Sequence, residues 1–175
     1  NRQRRSDMSS KEVTKQDGAT GINAKQVESF TKLLHTEPAP RDVLVNKNAG
    51  GSKYLPISII ETKLDEMFFG LWQAKNFRWQ VVANEIVGSI ELGVFHPVAK
   101  EWVWREGAGA VLIQQAKGSA ITDIGSKIKN TLVKDFPHLK AECIKNAAKS
   151  LGVAFGRNLN RAYWDEYQPL SEKMQ

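Results

Sequence analysis

In three runs between Asn76 and Arg105 large apolar side chains recur at every second position, and this period constrains the fold more than any other feature of the chain. Phe77, Trp79 and Val81 alternate with Arg78, Gln80 and Val82, and Ile90, Leu92 and Val94 alternate with Glu91, Gly93 and Phe95. After a break at Pro97-Val-Ala-Lys100, Trp102 and Trp104 alternate with Val103 and Arg105. A helix does not tolerate this pattern; an antiparallel meander with one packed and one wet face does. The spacing assigns the aromatic residues to the packed face and Arg78 and Arg105 to the wet one. The segment Gly107 to Gln115 is expected to continue the sheet.

A sheet with one apolar face needs a layer to cover it. Ser58 to Trp72 reads as a strong helix: Ser58 and Glu61 have capping-box spacing, and Ile59, Ile60, Leu64, Met67 and Phe68 then share a face. Asp135 and Pro137 mark the start of a last long helix, roughly Leu139 to Leu159. The expected fold is therefore α+β, an antiparallel three- to four-stranded β-meander packed against a long C-terminal helix. Lys117 to Lys134, with Ile121, Ile124, Ile128 and Leu132 at helical intervals, reads as a weaker helix or an ordered loop.

Ahead of this core, Val27, Phe30, Leu33 and Leu34 predict a short amphipathic helix over Ala24 to Thr36, ended by Glu37-Pro-Ala-Pro40. It suits docking on its own domain or on a neighbouring subunit. Residues 1–23 include Arg2, Arg4 and Arg5 and almost no large apolar group, which predicts a disordered basic tail. The division is then 1–23 tail, 24–48 helix and linker, 49–165 core and 166–175 C-terminal tail.

The 175 residues carry a net charge of +6 at a composition 41% hydrophobic and 25% charged. No apolar run approaches the roughly 18 residues of a membrane-spanning helix. The lone cysteine, Cys143, has no disulfide partner, and the first residues lack a signal pattern, so a reducing, cytoplasmic setting is expected. No P-loop motif is present, and His35, His96 and His138 fall in different predicted elements, so neither an ATP cradle nor a metal site is expected, and no cofactor. Glu61, Asp65 and Glu66 share one helix and raise a nuclease reading through Mg²⁺, against which Lys63 marks an ordinary solvated face.

The charge is concentrated. Between Lys117 and Arg161 nine basic residues face three acidic ones, a surplus equal to that of the whole chain. Within that stretch the last predicted helix carries Ile144, Ala148, Leu151, Phe155 and Leu159 on one stripe and Lys145, Lys149, Gly152, Gly156 and Asn160 on the next. Glycine inside a helix costs about 1 kcal/mol relative to alanine. Two of them beside two lysines suit either a phosphate backbone laid along the helix or tight packing on the sheet.

Four motifs extend this reading: Leu64-Asp-Glu-Met-Phe-Phe-Gly70, the Trp79 region, Trp104-Arg-Glu-Gly-Ala-Gly109 and Ile144-Lys-Asn-Ala-Ala-Lys-Ser-Leu-Gly-Val-Ala-Phe-Gly156. With them, the stretch from about Ala49 to Arg161 resembles the Rad fifty-two superfamily of single-strand annealing proteins, in particular its phage and prophage members. The resemblance implies a β-β-β-α core assembled into rings or helical filaments. Single-stranded DNA would lie between sheet and helix, phosphates inward and bases outward, and complementary strands would anneal in recombination and repair without ATP or covalent chemistry.

Under the resemblance, Lys145 and Lys149 match basic positions of the groove helix, and Asn146 matches a position often basic in the family. Lys47 or Lys53 matches a basic residue before the first strong helix. Arg157 joins them as a neighbouring basic group, while Arg78 and Arg105 come from the strand reading alone. Expected partners are single-stranded DNA, further copies of the chain and a single-stranded DNA-binding protein, with no membrane; a phage-encoded chain would work in the bacterial host cytoplasm. The alternative reading is an RNA or DNA-end binding module that protects without annealing.

Overall fold

A computed structural model describes residues 23–120 and 122–161. Residues 1–22 of the predicted tail 1–23, with Arg2, Arg4 and Arg5, residues 162–165 of the predicted core, the predicted tail 166–175 and Ile121 lie outside the described residues, whereas Asn23 is the N-cap of the first helix. The fold is α+β. Helix α1 (Ala24–Leu34) leads into a two-stranded hairpin, β1 (Leu44–Asn46) and β2 (Ser52–Tyr54), then α2 (Ile57–Phe68). Three antiparallel strands follow, β3 (Trp72–Val82), β4 (Glu85–His96) and β5 (Glu101–Leu112), in sheet order β3-β4-β5. Helix α3 (Leu132–Lys149) crosses one face of that sheet.

The meander follows the period-two pattern, and β4 shows why. Ile86, Ile90, Leu92 and Val94 are buried against the helices, on the same side as Gly88, while Val87, Ser89, Glu91, Gly93 and Phe95 turn to the opposite face. Leu64, Leu92, Leu139, Cys143, Ala147 and Ala148 are fully buried at the centre of the core. Burial of each large side chain there contributes about 1.5–3 kcal/mol.

Face assignment departs from expectation on β5. Arg105 lies opposite Leu92 in the register and so points to the helix side, as do Gly107, Gly109 and Val111. Trp102 and Trp104 therefore occupy the open face, and Trp102 is 41% exposed. The physical reason is close approach: a Cβ on Gly107 would stand 2.1 Å from the Cys143 carbonyl oxygen and 2.4 Å from the Ala147 nitrogen, so α3 rests on bare backbone. On the open face Trp104 lies over Gly93, stacks with Trp102 at 5.9 Å, and carries the Lys75 ammonium 3.5 Å from its ring centre.

On β3 the register shifts between Lys75 and Arg78 around Asn76, whose φ of 54° forms a bulge. Phe77 and Trp79 are returned by it to the helix side, where both meet Phe136 edge-on, at 5.4 and 4.9 Å. Trp79 is nonetheless 55% exposed at the sheet's edge, contrary to the core position expected for it. Arg78, opposite Ser89, is left on the open face.

Both strong helices begin and end elsewhere than predicted. Pro56, extended at ψ 151°, precedes Ile57 as the N-cap of α2, and Ser58 lies inside the helix without a capping bond. Helix α3 starts at Leu132, with Pro137 inside it, and stops at Lys149. Its first turn is pinned by Asp135, which accepts from the Thr131 hydroxyl and from the Gln114 backbone and side-chain N–H groups. Residues 117–120 and 122–130 form a loop in which the described residues include the 3₁₀ turn Ile124–Ser126.

The predicted lysine-glycine stripe is not helical at its glycines. Gly152 is extended and meets the Leu34 carbonyl of α1, where a Cβ would stand 2.3 Å away. Gly156, at φ 83°, closes a 3₁₀ turn Val153–Phe155. Helix α1 thus docks on its own domain, with Phe30 edge-on to Phe68 at 5.8 Å and to His96 at 4.9 Å. The hairpin β1–β2 straddles the boundary drawn at residue 48. No helix among the described residues is long and apolar enough to cross a membrane.

Candidate nucleic-acid interface

At α3, His138, Glu142, Lys145 and Lys149 succeed one another at three- and four-residue intervals and form one ridge. The Glu142 carboxylate lies 3.3 Å from His138 Nε2 and is ion-paired to Lys145 Nζ. The Lys145 side chain is only 13% exposed, and its ammonium lies 5.4 Å from the centre of the Tyr54 ring on the hairpin. Lys149 Nζ donates to Asn146 Oδ1 at 2.9 Å, and Asn146 Nδ2 donates to the Ala108 carbonyl at 2.8 Å. Asn146 therefore clips the helix to edge strand β5 and orients Lys149; both ends of its amide are used inside the protein.

The chain turns back beyond α3 and adds cations at the helix terminus. Arg157 Nε donates to Lys149 O at 2.9 Å and its Nη2 to Ser150 O at 2.7 Å, which satisfies carbonyls at the negative end of the helix dipole. Desolvation, then the charges of Arg161 and Arg105, lower the pKa of Arg157. Lys149 is lowered too, first by desolvation and by neighbouring Lys145, with Glu142 acting in the opposite sense. Lys145, Lys149, Arg157, Arg161 and Arg105 are thus held within electrostatic reach of their neighbours, and Glu142 is the only carboxylate among the described residues ion-paired to any of them.

A cluster of this kind is an anion site by elementary electrostatics. Lys149 is disfavoured by Lys145, and Arg157 by Arg161 and Arg105, so a phosphate placed among them relieves these repulsions at once. The lysines and Arg105 are spread over a ridge and a strand, which suits an extended polyanion better than a single small ion.

The remaining expected site residues separate. Lys53 belongs beside the cluster, because its backbone N–H and C=O both bond the Asn160 side chain, at 2.8 and 2.7 Å, one residue before Arg161. Lys47 stands in the 3₁₀ turn at the hairpin tip, with no described contact to α3. Arg78 points from the open face of the sheet, so it cannot act in one groove with Lys149. Two contributors were missed in sequence: Arg161, counted only as part of the charge surplus, and Tyr54, whose signal was its place beside Lys53.

The carboxylates of the nuclease reading also part company. Asp65 accepts the Trp72 indole N–H at 2.7 Å, Glu61 lines a cleft with Pro137 and Lys140, and Glu66 faces α1. Among the described residues no three His, Cys, Asp or Glu side chains come together as a metal site. No protein-family model matches the chain, and no curated protein is similar to it.

Proposed function

We propose that the chain binds single-stranded DNA across the end of α3 and anneals complementary strands without ATP, as a homo-oligomeric ring or filament. The observation that carries this reading is the gathering of Lys145, Lys149, Arg157, Arg161 and Arg105 about the end of α3, where among the described residues only Lys145 is ion-paired, to Glu142. The α+β meander and crossing helix agree with the core implied by the resemblance, and the fold itself carries no further argument about activity.

The mechanism is alignment. Phosphates neutralised along the ridge leave the strand extended with its bases outward, free to meet a complement. The duplex formed no longer matches the spacing of the cations and is released. No bond is made or broken in this scheme, so the whole effect resides in binding.

Electrostatic binding has a measurable signature. Five cations neutralising phosphates of a single strand give a slope of log affinity against log salt of up to about −3.5 per subunit. Affinity for a thymine oligonucleotide is then expected to fall roughly a hundredfold between about 50 and 200 mM salt. Fluorescence anisotropy reads this directly, and a fall smaller than about twofold would remove the phosphate strip as the binding element.

A further inference from the structure

Beside the cationic strip, a cleft of about 180 Å³ opens between the loop after α1, strand β2 and the 3₁₀ turn that follows α3. Pro38, Val153 and Leu159 line it with apolar surface, and Glu37, Lys53 and Asn158 supply its charged and polar groups. Two of these residues tie it to the strip. Asn158 directly follows Arg157, and Lys53 is joined through its backbone N–H and C=O to Asn160, the neighbour of Arg161. Those two bonds occupy the backbone polar atoms of Lys53, so its ammonium is what remains to meet a ligand.

Glu37 is the unexpected member. A carboxylate beside a strip of cations weakens phosphate binding, yet among the described residues Glu37 is in no ion pair, not even with Lys53, which lines the same cleft. An acid and an ammonium that share one small space without pairing suit a ligand that offers N–H donors to the first and a carbonyl to the second. The phosphates of a strand are repelled by Glu37 and stay on the strip; its bases are not. Among the bases of DNA only guanine presents two adjacent N–H donors with a carbonyl next to them on its pairing edge. Its N1–H and exocyclic amine match the two oxygens of a carboxylate, and O6 accepts from an ammonium. Adenine and cytosine set a ring-nitrogen lone pair against the carboxylate, and thymine flanks its one N–H with two carbonyls.

The geometry points to a guanine-binding cleft. One base in each subunit's stretch of single-stranded DNA turns inward, its ring against Pro38, Val153 and Leu159, its N1–H and amine donating to Glu37 and its O6 accepting from Lys53. This rests on the strand-binding reading above and adds to it a sequence preference that phosphate contacts alone do not carry. Fluorescence anisotropy at one salt concentration compares thymine oligonucleotides bearing a single central guanine or adenine. The guanine strand is expected to bind the wild type about tenfold tighter, and the two strands are expected to bind Glu37→Gln within about twofold of each other. Glu37 is exposed, so this substitution leaves the core intact. Equal affinities in the wild type, or a guanine preference kept by Glu37→Gln, would overturn the cleft while leaving strand binding in place. Failure of either oligonucleotide to bind at all would instead remove the strand reading, and the cleft with it. Guanosine monophosphate added alone is expected to bind far more weakly than the guanine strand, since it lacks the neighbouring phosphates held by the strip. Comparable affinity would make this a mononucleotide site and overturn the assignment to a strand.

Discussion

Lys149 shows how one residue is set for a charged ligand. Its ammonium is held by Asn146, crowded by Lys145 and partly desolvated, all at the end of a helix already capped by Arg157. A lowered pKa means that the charged form is lost at lower pH than for an ordinary lysine, near 10.4. The phosphate strip uses the charged form, so affinity for single-stranded DNA falls as pH rises through that lowered value. Lys149's own contribution to fold stability has the opposite sign: it is present above the unfolded pKa and lost as pH falls through the folded one. Binding titrations carried into the alkaline range should therefore show a loss in the wild type at lower pH than an ordinary lysine gives, which Lys149→Arg, charged throughout, does not share. Coincident profiles would mean that Lys149 does not face the strand. That Lys145 and Lys149 share one helix face was legible from their spacing, which left open whether that face binds a backbone or packs on the sheet, whereas Arg157, Arg161 and Arg105 come near it through a chain reversal and a strand face that no local pattern reports.

Among the elements, β5 explains most of what the sequence concealed. Alternation locates a strand but does not say which parity faces the core, and here the parity with the tryptophans faces away because glycines line the helix side. The same close approach makes a differential prediction. Gly107→Ala would force a Cβ against backbone atoms at 2.1 and 2.4 Å, and is expected to cost about 1–3 kcal/mol or more. Gly109→Ala would meet the Glu142 Cβ at 3.3 Å and Cys143 no closer than 3.4 Å, and should cost distinctly less. Urea unfolding compares the two, and equal midpoints would refute the packing described for α3 on β5. The end of α3 was likewise hidden from local reasoning, since Gly152 is extended through its contact with Leu34, more than a hundred residues earlier. By contrast β4 was legible throughout, because its apolar parity and its buried parity coincide.

For the whole molecule, a three-stranded sheet with one helix-covered face leaves two long edge strands and an open face bearing Trp102 and Trp104. The proposed annealing requires copies to present their ridges in series along one strand. Mass photometry of the DNA-free protein should accordingly find species well above the 19.6 kDa protomer; a strict monomer at every concentration would contradict the assembly. The most direct test joins the ridge to the activity. Complementary fluorescent oligonucleotides, mixed with the protein in the absence of ATP, should pair at least tenfold faster than without it, and Lys145→Ala with Lys149→Ala should return the rate to the protein-free value while leaving the unfolding midpoint near that of the wild type. Annealing at the wild-type rate by that doubly substituted protein would contradict the account.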